Sequence, residues 1–267
     1  MIICPSSPAG PSPRFHGEKD ETESAPQATP RPASAGRGWR EAPGEGQKIS
    51  DTFSLPRVGR RAHLKPLQNR VDPFGELFAT AARGEMYGNR GGPFHDPKTQ
   101  TVPGKTSASR QWLCCLLAFK SRRRDVWGRG FTDLFFLDEV TALAAGHRPC
   151  FECRRASAKD FAARWQAAKG LSKPPRAPEM DSVLHGERLA MEKPALSAAE
   201  ISALPDGAMI ASAARAFAML NGAALSWSEA GYGRPEKLES ARLLTPPATL
   251  AALREGYQPV WHTSVRL

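Results

Sequence analysis

Two cysteines separated by two residues, in Cys150-Phe151-Glu152-Cys153, constrain this chain more than any other feature. In a C-x-x-C turn both thiolates reach one metal ion, while the intervening backbone N–H groups point back at the sulfurs and help hold their charge. Such a knuckle is half of a tetrahedral zinc site. A closed site needs two further ligands, so a zinc-binding fold here must bring distant residues to positions 150–153.

The other cysteines say where such a site would be used. The chain has five, an odd number in 267 residues, with Cys114 and Cys115 adjacent and Cys150 and Cys153 in metal-ligand spacing. That is a reduced-compartment pattern rather than a secreted disulfide framework, and it makes the cytoplasm the expected location. No apolar run approaches the ~20 residues of a membrane span, so no membrane partner is expected.

Residues 1–60 are dense in Pro, Gly, Ser, Ala and mixed charge, with almost no aliphatic periodicity, and read as a disordered low-complexity tail. They carry only +1 of the +10 formal charge, leaving +9 for residues 61–267. The expected organisation is a 64–172 region containing the knuckle and a 173–267 helix-plus-hairpin region packed on it in the same domain.

The elements are readable around the knuckle. Val71–Leu77 reads as a turn into a strand, and 86–92, Met-Tyr-Gly-Asn-Arg-Gly-Gly, as a glycine-rich loop. The apolar run WLCCLLAF, bracketed by Gln111 and Lys120, reads as a buried strand pairing with a second one at Phe131–Leu137. Asp138 is placed to N-cap a short helix whose apolar residues are Val140, Leu143 and Ala144 and whose stop is Gly146. Ala158, Phe161, Ala162 and Trp165 repeat at helical spacing over Ala156–Lys169, ahead of Gly170. A further helix is expected from Glu179 to about Glu192, with Met180, Val183, Leu184 and Leu189 inward. Asn221-Gly222 predicts a hairpin turn, and Thr245-Pro246-Pro247 caps a last helix that Gly256 stops. Strands and helices mix without a βαβ rhythm, which makes the fold class α+β: antiparallel hairpins and short helices in one domain around the knuckle.

Residues Phe131–Arg155, FTDLFFLDEVTALAAGHRPCFECRR, resemble the second half of the zinc-binding module of the Ada family of DNA repair proteins. Gly146, Arg148, Pro149, Cys150 and Cys153 match that family's helix, Arg-Pro-Cys-x-x-Cys and basic pattern. The resemblance implies a metal knuckle and DNA contact. In the family four cysteines hold the zinc, and one of the first pair accepts a methyl group. The corresponding stretch here, Lys120–Gly130, has no cysteine, so methyl-acceptor chemistry does not carry over.

The remaining ligands are expected from Cys114 or Cys115 and from His95. Adjacent strand residues face opposite sides, so at most one of the two cysteines points at the knuckle. His95 precedes Asp96, an acid placed to orient its ring. His147 stands where the resembling family prefers an aromatic residue, which favours packing. Arginines around Cys150 and Cys153 also leave open a redox pair with lowered thiol pKa.

Two further constellations carry chemistry. Asp181, His185 and Arg188 share one helix face, an arrangement open to general-base catalysis. His262 is free to join either site. Arg90, Arg122, Arg123, Arg124, Arg129, Arg148, Arg154 and Arg155 are candidates for phosphate contact, with Trp127 among them as a stacking surface. The expected function is a zinc-binding, basic, nucleic-acid-binding protein associated with DNA repair. The alternatives are a hydrolase or nuclease using His95, Asp181 and His185, and a non-enzymatic interaction protein.

Overall fold

The computed structural model describes residues 65–265 apart from 123–124 and 191–192, so the 1–60 tail, Arg123 and Arg124 lie outside the described residues. The fold is α+β and contains two six-stranded sheets. The first half supplies β1 (Arg70–Val71), β2 (Leu77–Phe78), β3 (Met86–Asn89), β4 (Leu113–Leu116), β5 (Leu134–Phe136), α1 (Glu139–Ala144), β6 (Arg148–Pro149) and α2 (Arg155–Lys169). The second half supplies α3 (Ala177–Leu189), β7 (Ala195–Ser197), α4 (Ala198–Ser202), β8 (Met209–Ser212), β9 (Arg215–Leu220), β10 (Ala223–Ser228), β11 (Gly231–Glu236), β12 (Ser240–Leu243) and α5 (Pro247–Arg254). The sheet orders are β2-β1-β5-β3-β4-β6 and β11-β10-β9-β8-β12-β7.

The expected pairing of the two apolar strands does not occur. Strand β3 lies between them and pairs antiparallel with both, so the glycine-rich segment is a strand for its first four residues. Gly88 permits the insertion: a Cβ there would lie 2.3 Å from the Leu113 carbonyl oxygen and 2.5 Å from the Phe136 ring. The glycine that reads as a loop signal is here the residue that lets three backbones and a phenyl ring crowd together. The WLCCLLAF run is also shorter as a strand than expected, because β4 ends at Leu116 and Leu117 is exposed.

Helix α1 organises the interior. Its N-cap is Asp138, whose carboxylate accepts from the Thr141 backbone N–H at 2.8 Å, and Gly146 follows its end at φ +81°. All six residues are buried, and the helix touches β4 and β5 of one sheet and β8 of the other. Ala142 packs with Val71, Cys114, Leu134 and Phe136; Val140 and Ala144 pack with Met209 and Ala218. Leu143 joins the largest apolar cluster, with Phe161, Trp165, Met180, Phe217 and Tyr257. The two polar residues of α1 are enclosed with partners, Glu139 paired with Arg154 and Thr141 donating to Asp138.

Helix α2 buries the four residues its spacing predicts, Ala158, Phe161, Ala162 and Trp165. In α3 the inward residues are Met180, Asp181 and Leu184, while Val183 and Leu189, expected inward, are exposed, Leu189 being the helix's last residue. The Asn221-Gly222 turn joins β9 to β10, and α5 starts at Pro247, as their residue types predict. No helix among the described residues is long and apolar enough to cross a membrane.

Candidate metal centre

Strand β6 brings the knuckle against β4. Leu113 and Cys114 lie opposite Arg148 and Pro149 in parallel register, and the Cys150 backbone N–H donates to the Cys114 carbonyl at 3.0 Å. This register fixes which of the adjacent cysteines meets the knuckle. Cys115 packs with Tyr87 and Cys150, whereas Cys114 faces the opposite side, fully buried among Val71, Met86, Leu134 and Phe136. Strand alternation allows only one of the pair to join, and it is Cys115.

The sulfurs of Cys115, Cys150 and Cys153 all lie within 4.8 Å of one another. Sulfurs bound tetrahedrally at about 2.3 Å from zinc lie ~3.8 Å apart, so closing on an ion requires only small movements. The Cys150 sulfur accepts from the Glu152 backbone N–H at 3.4 Å, the N–H···S contact that a knuckle turn provides. Hydrogen bonding from the Cys115 thiol, helped by the Cys153 and Glu152 backbone N–H groups and opposed by burial, draws the Cys150 thiol down to about 5. Cys153 is lowered as well, chiefly by the same Cys115 donor. Cys115, donating to both and buried, is correspondingly raised. For the two knuckle thiols these shifts are in the direction of the thiolate, the form that binds a soft metal.

Cys114 has a different environment. Burial beside Glu139 raises its thiol well above the ordinary range, and its sulfur accepts from Arg154 at 3.5 Å. It is not a ligand of this cluster. His95 is not one either. Its Nε2–H donates to the Gly128 carbonyl at 2.9 Å and its Nδ1 accepts from the Thr132 hydroxyl at 2.7 Å, so neither nitrogen is left for a metal. The ring stacks on Trp127 at 5.4 Å. Among the described residues no His, Asp or Glu joins the three sulfurs.

The three cysteines form part of the wall of a cleft of about 670 Å³. Tyr87, Phe119 and Phe131 contribute aromatic surface to it, and Asp125, Asp133 and Arg122 contribute charge. Phe131 is 52% exposed. Arg122 donates to both carboxylate oxygens of Glu152, the residue inside the knuckle, in an exposed ion pair at the cleft. Phe119, Asp125 and Phe131 carry no local signal of this position, because only the long-range pairing of β3, β4 and β6 assembles the wall.

The candidate phosphate contacts divide into two groups. Arg122, Arg129 and Arg155 are exposed. Arg90, Arg148 and Arg154 are buried and have internal partners, because a guanidinium taken out of water must satisfy its donors within the protein. Arg90 donates to the Gly75 and Thr106 carbonyls and lies over Trp112 at 3.8 Å; burial and then Arg188 lower it to about 9. Arg148 makes a two-pronged pair with Asp181, at 2.7 and 2.8 Å. Arg154 makes another with Glu139, at 2.6 Å for both bonds. Trp127, expected as a stacking surface, is 1% exposed and donates its indole N–H to the Asp133 carbonyl.

The Asp181, His185 and Arg188 face does not form an acid–imidazole pair. Arg148 occupies both Asp181 oxygens, and His185 is lowered by burial and by the cations Arg188 and Arg110. Arg188 donates to the Gly146 and Arg110 carbonyls and lies over Trp112. His262 joins neither site: its ring meets Ser264 and lies 3.6 Å from Glu85. His147 has the packing role its position favours, fully buried between Trp112 and Phe136.

No family model matches the chain, and neither the curated proteins nor the solved structures contain a significant match to it.

Proposed function

We infer that this chain is a zinc-thiolate protein in which Cys115, Cys150 and Cys153 hold the ion, and that the face bearing the centre contacts nucleic acid. The observation that carries the metal reading is the convergence of three sulfurs within 4.8 Å, one of them from a strand 35 residues upstream of the knuckle. Three soft donors with lowered knuckle thiols match zinc better than an oxygen-loving cation.

Nucleic-acid contact is supported by the +9 charge of residues 61–267, by exposed Arg122, Arg129 and Arg155, and by the exposed Phe131 ring in the same cleft as the cysteines. The resemblance of Phe131–Arg155 to the Ada-family module supports a role associated with DNA repair, without methyl acceptance. The hydrolase alternative loses ground, since His95 and Asp181 are fully engaged by Gly128, Thr132 and Arg148.

Elemental analysis of protein purified from unsupplemented medium tests the metal reading. About one zinc per chain is expected, with loss of thermal stability on chelation. Metal-free protein that melts unchanged on adding zinc contradicts it. For nucleic acid, affinity for a single-stranded oligonucleotide falls steeply with salt, since phosphate neutralisation releases counterions.

A further inference from the structure

Zinc bound by three protein ligands keeps a fourth position for a molecule from solution, whereas a structural site is closed by four. The donor set here has that open form among the described residues, and all three cysteines border the same cleft. At about 670 Å³ the cleft far exceeds the ~30 Å³ share of one water and falls in the range of small-molecule sites. Resting on the zinc reading above, we propose that the fourth metal position opens into this cleft and receives the ring nitrogen of an amine-bearing heterocycle, a nucleobase of the adenine or cytosine type.

The chemistry of the walls selects that class. Zinc with three thiolates carries a net negative charge, and Asp125 and Asp133 add to it at the cleft, where Glu152 is paired with Arg122 and Arg148 with Asp181. A further anionic donor, such as a thiolate or a phosphate oxygen, enters against that charge. A neutral ring nitrogen does not, and it is a good zinc donor. Phe119 and the half-exposed Phe131 offer aromatic surface that a flat ring stacks on. The Asp125 carboxylate, which accepts hydrogen bonds, matches an exocyclic amine, which uracil and thymine lack. Phe131 and the neighbouring Arg129 and Gly130 are exposed, and free nucleosides and the bases of a single strand share the same recognition chemistry.

The full-length chain loaded with Co²⁺ separates the two readings. Thiolate-to-cobalt charge transfer reports the three sulfurs, and the visible ligand-field bands report the fourth donor. Imidazole, adenosine, cytidine, uridine and a short single-stranded oligo-dA are titrated in. The expected result is a saturable shift of the ligand-field bands with imidazole, adenosine and cytidine but not with uridine. Oligo-dA shifting them at lower concentration than adenosine identifies a strand as the source; equal or weaker response identifies the free nucleoside.

Asp125→Asn or Phe131→Ala is expected to weaken the adenosine response at least tenfold while leaving the charge-transfer band intact. Charge transfer without any shift means that the protein itself closes the site, and it overturns the proposal while the zinc reading stands. A response to imidazole alone, or equally to uridine, overturns the ligand class. Absence of the charge-transfer band overturns both readings.

Discussion

Arg154, the residue immediately after the second knuckle cysteine, donates to both carboxylate oxygens of Glu139 at 2.6 Å, with both side chains almost wholly buried. The same carboxylate accepts from the Tyr257 hydroxyl at 2.7 Å and the Val260 backbone N–H at 2.8 Å. Glu139 opens α1, so one acid ties the base of the knuckle, the central helix and the C-terminal segment together. Asp138 next to it does the same for Tyr232 and the His262 backbone N–H. The cysteine cluster therefore stands on a rigid, charged foundation rather than on a loose loop.

Removing one partner of a buried pair leaves the other charge uncompensated, at a cost of about 3–5 kcal/mol. Glu139→Gln is accordingly expected to lower unfolding free energy by that order in urea titration. A change below about 1 kcal/mol would show that solvent reaches Arg154. Asp181→Asn, which strands buried Arg148, is expected to behave similarly, and a far smaller loss than in Glu139→Gln would mean that the α3 pair opens to water.

His147 sets a pH dependence. Burial, followed by the nearby charges of Arg90 and Arg188, holds its imidazole well below the ordinary value of 6.5. Below pH 6.5 the unfolded chain then binds a proton that the folded chain refuses. The stability is fully present above pH 6.5 and is lost as pH falls toward the folded value, at up to about 1.4 kcal/mol per pH unit. His147→Phe keeps a ring between Trp112 and Phe136 and is expected to flatten this acid limb between pH 6.5 and 5. Parallel stability–pH curves for the two proteins would contradict the assignment.

Exposed and buried arginines are expected to separate in binding assays. Arg129→Ala should weaken oligonucleotide binding uniformly across sequences and reduce the salt slope by about one. Arg90→Ala should instead cost stability, because its guanidinium holds the Gly75 and Thr106 carbonyls. An unchanged slope in Arg129→Ala removes that residue from the contact surface.

The helices were legible because their boundaries are written locally: Asp138 and Gly146 bracket α1, and the spacing of Phe161, Ala162 and Trp165 marks the inward face of α2. The knuckle was legible for the same reason. The position of β3 was not, since Gly88 signals a loop locally and its role depends on Leu113 and Phe136, 25 and 48 residues away. The buried arginines were misread because an Arg shows its charge in sequence but not its partner; Asp181 lies 33 residues beyond Arg148. Alternation limited the third ligand to Cys114 or Cys115, and only the register of β4 on β6 selects Cys115.

That selection gives the most direct test of the metal centre. Zinc affinity is measured by competition with a chromophoric chelator for the intact chain and for Cys114→Ser and Cys115→Ser. Cys115→Ser is expected to lose at least tenfold in affinity, while Cys114→Ser, altered only on the core side of β4, keeps the affinity of the intact chain. Equal affinity in all three proteins, or loss only in Cys114→Ser, would contradict a zinc site built from Cys115, Cys150 and Cys153.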